Sequence, residues 1–203
     1  MRLLATHSPG FDPGRAWIQG EVTTRSEGPV FRQTLSRRRS PHTDHEHAFV
    51  RLEGPDWVNV VAFTPAGELL VVEQFRHGIE AATLEIPGGC CDPGEVPLDS
   101  ARRELREETG HEADRWIELG HCSPNPATQN NRCHSFLALG CRPHGPLRLD
   151  HAEELRLWAC TWGEWEALLR AGGVSHTLVL TAFLRLFLWE GWEDLKRSWA
   201  LPG

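Results

Sequence analysis

The sequence predicts an α+β sandwich, and three observations predict it. Val58 to Phe63 and Leu69 to Phe75 are apolar, β-branched runs on either side of a Thr64-Pro65-Ala66-Gly67 turn, the pattern of a hairpin. Helix signals are few and gather in three places. The regular strand-helix-strand alternation of a doubly wound parallel sheet is absent.

Taken in order, residues 1–50 are rich in Gly, Pro, Arg, Ser and His and carry short β-type runs such as Phe31 to Leu35. They predict a β-rich N-terminal extension, with the main domain over 51–203. After the hairpin, further strands are expected at Leu84 to Ile86, His134 to Leu139 and Leu155 to Ala159. Pro97 suits a first helical position and Gly110 a position just past a helix end, so a helix is expected over 97–109. Thr161 and Glu164 have the capping-box spacing, and Gly172-Gly173 closes that helix. Ser175 is expected to cap a last helix running through Trp189. Its Leu178 to Trp189 stretch reads as buried, because Thr181 and Arg185 interrupt it and a bilayer wants about 20 apolar residues.

Composition narrows the function classes. The 203 residues are 40% hydrophobic and 24% charged, an ordinary soluble balance. A net charge of −7 argues against coating nucleic acid, which needs a basic surface. No membrane partner is expected, and the N-terminus lacks the apolar stretch of a signal peptide. Six cysteines without a CxxC pair read as reduced thiols of a cytoplasmic protein. Metal binding through His121, Cys122, Cys133 and His134 is a lesser reading. His45 and His47 form a poor metal signal, and Trp17 reads as packing.

The chemistry concentrates between Gly88 and Gly110. On a helix advancing about 100° per residue, Glu107 and Glu108 flank Glu104 at about −60° and +40°, so three carboxylates share one arc. Leu98, Ala101 and Leu105 form an apolar stripe beside it, which sets the acidic edge at the border of the core. Like charges at i, i+4, as in Glu104 and Glu108, disfavour a helix by roughly 0.2–0.5 kcal/mol. A hard divalent cation, which prefers oxygen ligands and binds together with phosphates, explains such an arc. A solvated acidic face with Arg103 paired to Glu107 explains it too, and spacing alone does not decide.

The ordered pattern does more. Gly89, Glu95 six positions on, the Arg103-Glu104-Leu105 triplet, Glu107-Glu108 and Gly110 resemble the Nudix box at every fixed position. His111 departs from it, standing where the family has an aliphatic residue. Outside the box, Glu73 to Gly78, Leu84 to Gly89 and Asn125 to Arg132 resemble the branch of ADP-ribose pyrophosphatases and related nucleoside-diphosphate-sugar hydrolases. Pro126 matches a proline of that branch.

The resemblance implies an α/β/α sandwich with a mixed sheet. It also implies cleavage of the pyrophosphate bond of ADP-ribose or a related nucleoside-diphosphate sugar. Glu104, Glu107, Glu108 and the Gly88 carbonyl would hold Mg²⁺, with Mn²⁺ as a substitute. Arg103 would orient the glutamates, Glu95 would be a positioning group or a turn-closing carboxylate, and Arg76 and Pro126 would lie along the substrate. Glu153, then Glu154, would be the general base, and the extension would build a homodimer. A hydrolase of noncanonical nucleoside triphosphates and a nucleotide sensor without catalysis are the alternatives.

Overall fold

The computed structural model describes residues 12, 14–146, 148 and 154–200, side chains through 199. Two compact units are present. The smaller takes the described residues up to Gly54 together with Asn125–Asn131; the larger takes Pro55–Pro124 and the described residues from Arg132 onward.

The smaller unit is an antiparallel meander of β1 (Ile18–Glu27), β2 (Arg32–Arg39) and β3 (Glu46–Glu53). The β-type run at Phe31 to Leu35 opens β2. Thr34 and Ser36 are buried, and Arg32 and Arg51 pair with Glu53 at 2.7 and 3.2 Å. The turn at Asn125–Thr128 joins this unit through the Leu52 N–H, which donates to the Thr128 carbonyl at 2.8 Å. Strand β1 is exposed throughout and β3 over its first five residues, so neither carries the alternation of a half-buried strand.

The larger unit contains β4 (Trp57–Phe63), β5 (Leu69–Arg76), β6 (Ala81–Glu85), β7 (Gly88–Cys90), α1 (Pro97–Thr109), β8 (His111–Glu112), β9 (Arg115–Cys122), β10 (Cys133–Leu139), β11 (Arg142–Pro143), β12 (Leu155–Cys160), α2 (Trp162–Arg170), α3 (Thr177–Leu188) and α4 (Trp192–Ala200). Its main sheet runs β12-β5-β4-β10-β9, with β6 on β5 and β7 on β4. Strand β10 is parallel to β4 and the remaining pairs are antiparallel, so the sheet is mixed. The expected hairpin closes at its turn, where Gly67 takes φ +79°, and β4 and β5 pair only at Phe63 and Leu69. Beyond that they part to admit β6 and β7.

Val58 to Phe63 are all buried, which requires cover on both faces of β4. One face packs Val58, Val60, Phe136 and Ala138 against Ala101 and Leu105 of α1. The other packs Val61, Phe63 and Leu137 against Trp165 of α2, Phe183 and Leu186 of α3 and Trp192 of α4. The result is the α/β/α sandwich, with helix, sheet and helix in turn. Each buried Val, Leu or Phe contributes roughly 1.5–3 kcal/mol.

Helix α1 matches its expected span, with Pro97 at its start and Gly110 left-handed at φ +68°. Thr161 and Glu164 form the reciprocal capping box of α2. The third helix differs from expectation: His176, not Ser175, is the N-cap, and the helix stops at Leu188. It is also amphipathic by exposure rather than buried, with Leu180, Leu184, Phe187 and Leu188 exposed opposite Val179, Ala182, Phe183 and Leu186. It is not the last helix either. Trp192, Leu195 and Trp199 stand at helical spacing and pack on the core as α4. No described helix is long and apolar enough to cross a membrane.

Candidate functional site

The turn before α1 and the later turns of α1 close on one cation, the Arg103 guanidinium. Its Nε and Nη2 donate to the two oxygens of Glu95 at 3.2 and 3.0 Å. Nη2 also donates to the Cys90 carbonyl at 2.9 Å. Nη1 turns the other way and donates to Glu104 Oε1 at 2.8 Å and Glu107 Oε2 at 3.1 Å. One side of the fork is therefore anchored to the turn, and the other bridges two carboxylates of the acidic arc. Such charge-assisted, forked pairs are roughly twice as strong as neutral bonds.

Glu95 is wholly engaged. Besides Arg103, it accepts from the Ser100 hydroxyl at 2.6 Å and the Asp92 N–H at 3.0 Å. The Arg103 hydrogen bond, ahead of those from Ser100 and Asp92, holds its carboxyl down at about 2. Arg103 is in turn held above its ordinary value, chiefly by Glu95.

Glu104 and Glu108 are 7% and 2% exposed, which places the acidic edge at the core border as the helical wheel anticipates. Glu108 Oε2 accepts from the Gly88 N–H at 2.9 Å. The two glycines of β7 permit this closeness. A Cβ at Gly88 would collide with the Val58 carbonyl of β4, and one at Gly89 would overlap the Glu104 carboxylate. His111, outside the aliphatic pattern, forms the short β8 with Pro143 of β11, and its Nδ1 lies 2.6 Å from the Thr109 carbonyl.

The structure thus brings together Gly88, Glu95, Arg103, Glu104, Glu107 and Glu108. Arg76 lies at the end of β5, its Nε and Nη2 each 2.6 Å from an oxygen of Glu85. Glu85 is 3% exposed; burial alone would raise its carboxyl, but Arg76 and Thr83 outweigh it and hold it low. His176 Nε2 stands 3.7 Å from Glu85, and burial pushes that imidazole down. The sequence marks Glu85 as part of a strand and of the Leu84 to Gly89 resemblance, not as a site residue. Its signal was the two-residue alternation of β6, which puts Thr83 and Glu85 on one face.

Pro126 is exposed in the turn of the smaller unit. Glu154 is exposed just before β12, and Glu153 lies outside the described residues. The Arg148 N–H donates to the Glu107 carbonyl of α1 at 2.9 Å.

Among the described residues, no three His, Cys, Asp or Glu side chains stand together in metal-holding geometry. For His121, Cys122, Cys133 and His134 the reason is pairing: each cysteine opposes the other and each histidine the other, so the four are split between two faces. The thiols also stay protonated, since burial raises both and pushes Cys133 up to about 12. All six cysteines are free. For the α1 carboxylates the reason is Arg103 Nη1 and the Gly88 N–H, which now hold them. Their chemistry still suits a hard divalent cation. Three carboxylates and a backbone carbonyl are all-oxygen donors, and Glu104 and Glu107 already share a positive charge.

The family description "NUDIX domain" matches residues 54–182. The chain is 30% identical over 135 residues to the methanol dehydrogenase activator of Bacillus methanolicus, an alignment covering 65% of this chain and 73% of that one. It is 38% identical over 84 residues to an ADP-ribose pyrophosphatase of Bacillus subtilis, covering 41% of this chain and 45% of the relative. The ADP-ribose pyrophosphatase of Mycobacterium tuberculosis is 35% identical over 97 residues, covering 47% of each chain. The chain thus spans about half the length of these two pyrophosphatases. A crystal structure titled as that of an ADP compounds hydrolase superposes with a TM-score of 0.76, covering 91% of this chain and 96% of that one at 20% identity. At that identity the likeness establishes the fold.

Proposed function

The chain belongs to the Nudix family, and from that premise we propose that it hydrolyses the pyrophosphate bond of ADP-ribose or a related nucleoside-diphosphate sugar. The products are a nucleoside monophosphate and a sugar phosphate. The observation that carries this reading is the Arg103 fork, which spends one side on Glu95 and presents the other to Glu104 and Glu107 beside the glycine turn. The names of the two pyrophosphatase relatives direct it to ADP-ribose.

Nudix hydrolases generally need a divalent metal; here Mg²⁺, or Mn²⁺ in its place, is assigned to Glu104, Glu107, Glu108 and the Gly88 carbonyl. When bound, such an ion neutralises charge on phosphoryl oxygens and makes a bound water more acidic. The chain's own residues supply the rest. Glu95 holds Arg103, and Arg103 positions Glu104 and Glu107. The Gly88 N–H fixes Glu108, and Gly89 leaves the space that the carboxylates need. Arg76, its fork fixed by Glu85, is assigned to a substrate anion, and Pro126 to the substrate's far end. Glu153, and after it Glu154, is assigned as the general base; the anchoring of Arg148 to the Glu107 carbonyl supports that choice.

The smaller unit is assigned to a homodimer interface. Its Trp17 and Phe49 rings pack edge to face at 5.4 Å while remaining 39% and 41% exposed. Cytoplasmic residence and the absence of nucleic-acid partners complete the reading, in keeping with the acidic net charge.

A panel of ADP-ribose, GDP-mannose, ADP-glucose, diadenosine polyphosphates and NADH, with products separated by ion exchange, tests the assignment. Cleavage of a nucleoside-diphosphate sugar into the two monophosphates supports it. Activity confined to nucleoside triphosphates, or ligand binding without product, overturns it.

A further inference from the structure

The chain carries His121-Cys122 at the end of β9 and Cys133-His134 at the start of β10, and the proposed hydrolase uses none of them. Antiparallel pairing sets Cys122 against Cys133 and His121 against His134. Directly opposed residues share a face and successive residues alternate, so the two imidazoles stand together on one side of the sheet. Their ring centroids are 5.4 Å apart, with the planes tilted by 45°.

The pair is not symmetric. The His134 side chain is 12% exposed, and its Nε2 lies 3.0 Å from Asp56 Oδ2. Asp56 is itself fixed, because its other oxygen accepts the Arg132 N–H at 2.8 Å. A carboxylate at one ring nitrogen sets the tautomer: Nε2 carries the proton and Nδ1 keeps its lone pair. That is the orientation in which a metal-ligating histidine is usually held. His121 is exposed on β9, an edge strand, so water reaches it.

We propose that His121 and His134 form a two-imidazole site for a borderline divalent transition metal, Zn²⁺ or Ni²⁺, with Asp56 orienting His134 and water completing the coordination. Imidazole nitrogen favours these ions over Mg²⁺, which seeks carboxylate and phosphate oxygen. The site is separate from the α1 carboxylates. Gly89 pairs with Val58, and Val58 with His134, so His134 lies two strands from Gly89, roughly 10 Å at about 4.8 Å per strand. It is therefore independent of the hydrolytic assignment and is tested without reference to activity.

The test is calorimetric titration of the untagged, chelator-stripped full chain with Zn²⁺, and separately Ni²⁺, in excess Mg²⁺ so that the oxygen ligands are occupied. One saturable site is expected. His121→Gln should abolish it while leaving the circular dichroism spectrum unchanged, since His121 is exposed. Asp56→Asn should weaken it about 10- to 100-fold, the usual effect of losing a carboxylate behind a ligand. Cys122→Ser and the His45→Gln/His47→Gln double variant should bind as the wild type does. Absence of a saturable site in the wild type, undiminished binding in His121→Gln, or loss of binding in either control variant overturns the proposal.

Discussion

Glu95→Gln removes the carboxylate that anchors Arg103 and keeps the side chain's size. In the folded protein that carboxyl is held at about 2, against an ordinary value of 4.5, with the Arg103 hydrogen bond as the leading cause. A displacement of that size corresponds to about 3 kcal/mol of stability at neutral pH. The Glu95 side chain is 19% exposed, and solvent there screens part of the interaction, so about 2 kcal/mol is the expected loss. Because the folded-state value lies below the unfolded one, the stabilisation is fully present above pH 4.5 and drains away as pH falls toward about 2. Urea denaturation of both proteins at pH 7 and pH 3 reads this directly. The difference should be about 2 kcal/mol at pH 7 and less than half of that at pH 3. Equal differences at the two pH values, or one below about 0.5 kcal/mol at pH 7, would refute the linkage between Glu95 and Arg103.

Other perturbations probe the remaining parts. Glu108→Gln keeps an oxygen for the Gly88 N–H but removes the charge; turnover should fall at least about 100-fold with the urea midpoint nearly unchanged, measured on the active substrate of the panel. Gly89→Ala drives a methyl into the Glu104 carboxylate and should lower kcat/KM about 100-fold, rescued little by higher Mg²⁺. Glu85→Gln frees the Arg76 fork, so KM for the nucleoside-diphosphate sugar should rise about 10-fold while kcat changes little. Thr161→Ala removes the hydroxyl that accepts the Glu164 N–H, leaving only the backbone half of the α2 capping box, and should cost about 1 kcal/mol in the same denaturation assay.

Local signals told most where one residue type does one job. Pro97 and Gly110 bracket α1, Thr161 and Glu164 cap α2, and the β-branched runs of β4 and β5 mark strands covered on both faces. Strands β1, β3 and β9 were silent because they are wholly or partly exposed and carry polar residues where a buried strand would alternate. Helix α3 misled in the opposite direction: its apolar residues go all round, so nothing in their spacing separated the buried from the exposed side. At the site, the helical wheel placed Glu104, Glu107 and Glu108 on one arc but could not show that a single guanidinium ties that arc to Glu95. That depends on the turn at Asp92 to Glu95 folding back over α1. Glu85 lay in plain sight, yet its pairing with Arg76 arises only when β5 and β6 meet.

The central claim is that the carboxylates of α1 hold a divalent cation against a pyrophosphate. Mn²⁺ binding followed by electron paramagnetic resonance, with and without a nonhydrolysable ADP-ribose analogue, tests it most directly. The account predicts that wild-type protein takes up Mn²⁺, that the analogue tightens the binding, and that Glu104→Gln and Glu108→Gln each lose it. Mn²⁺ uptake that survives both substitutions, or that the analogue leaves unchanged, would contradict it.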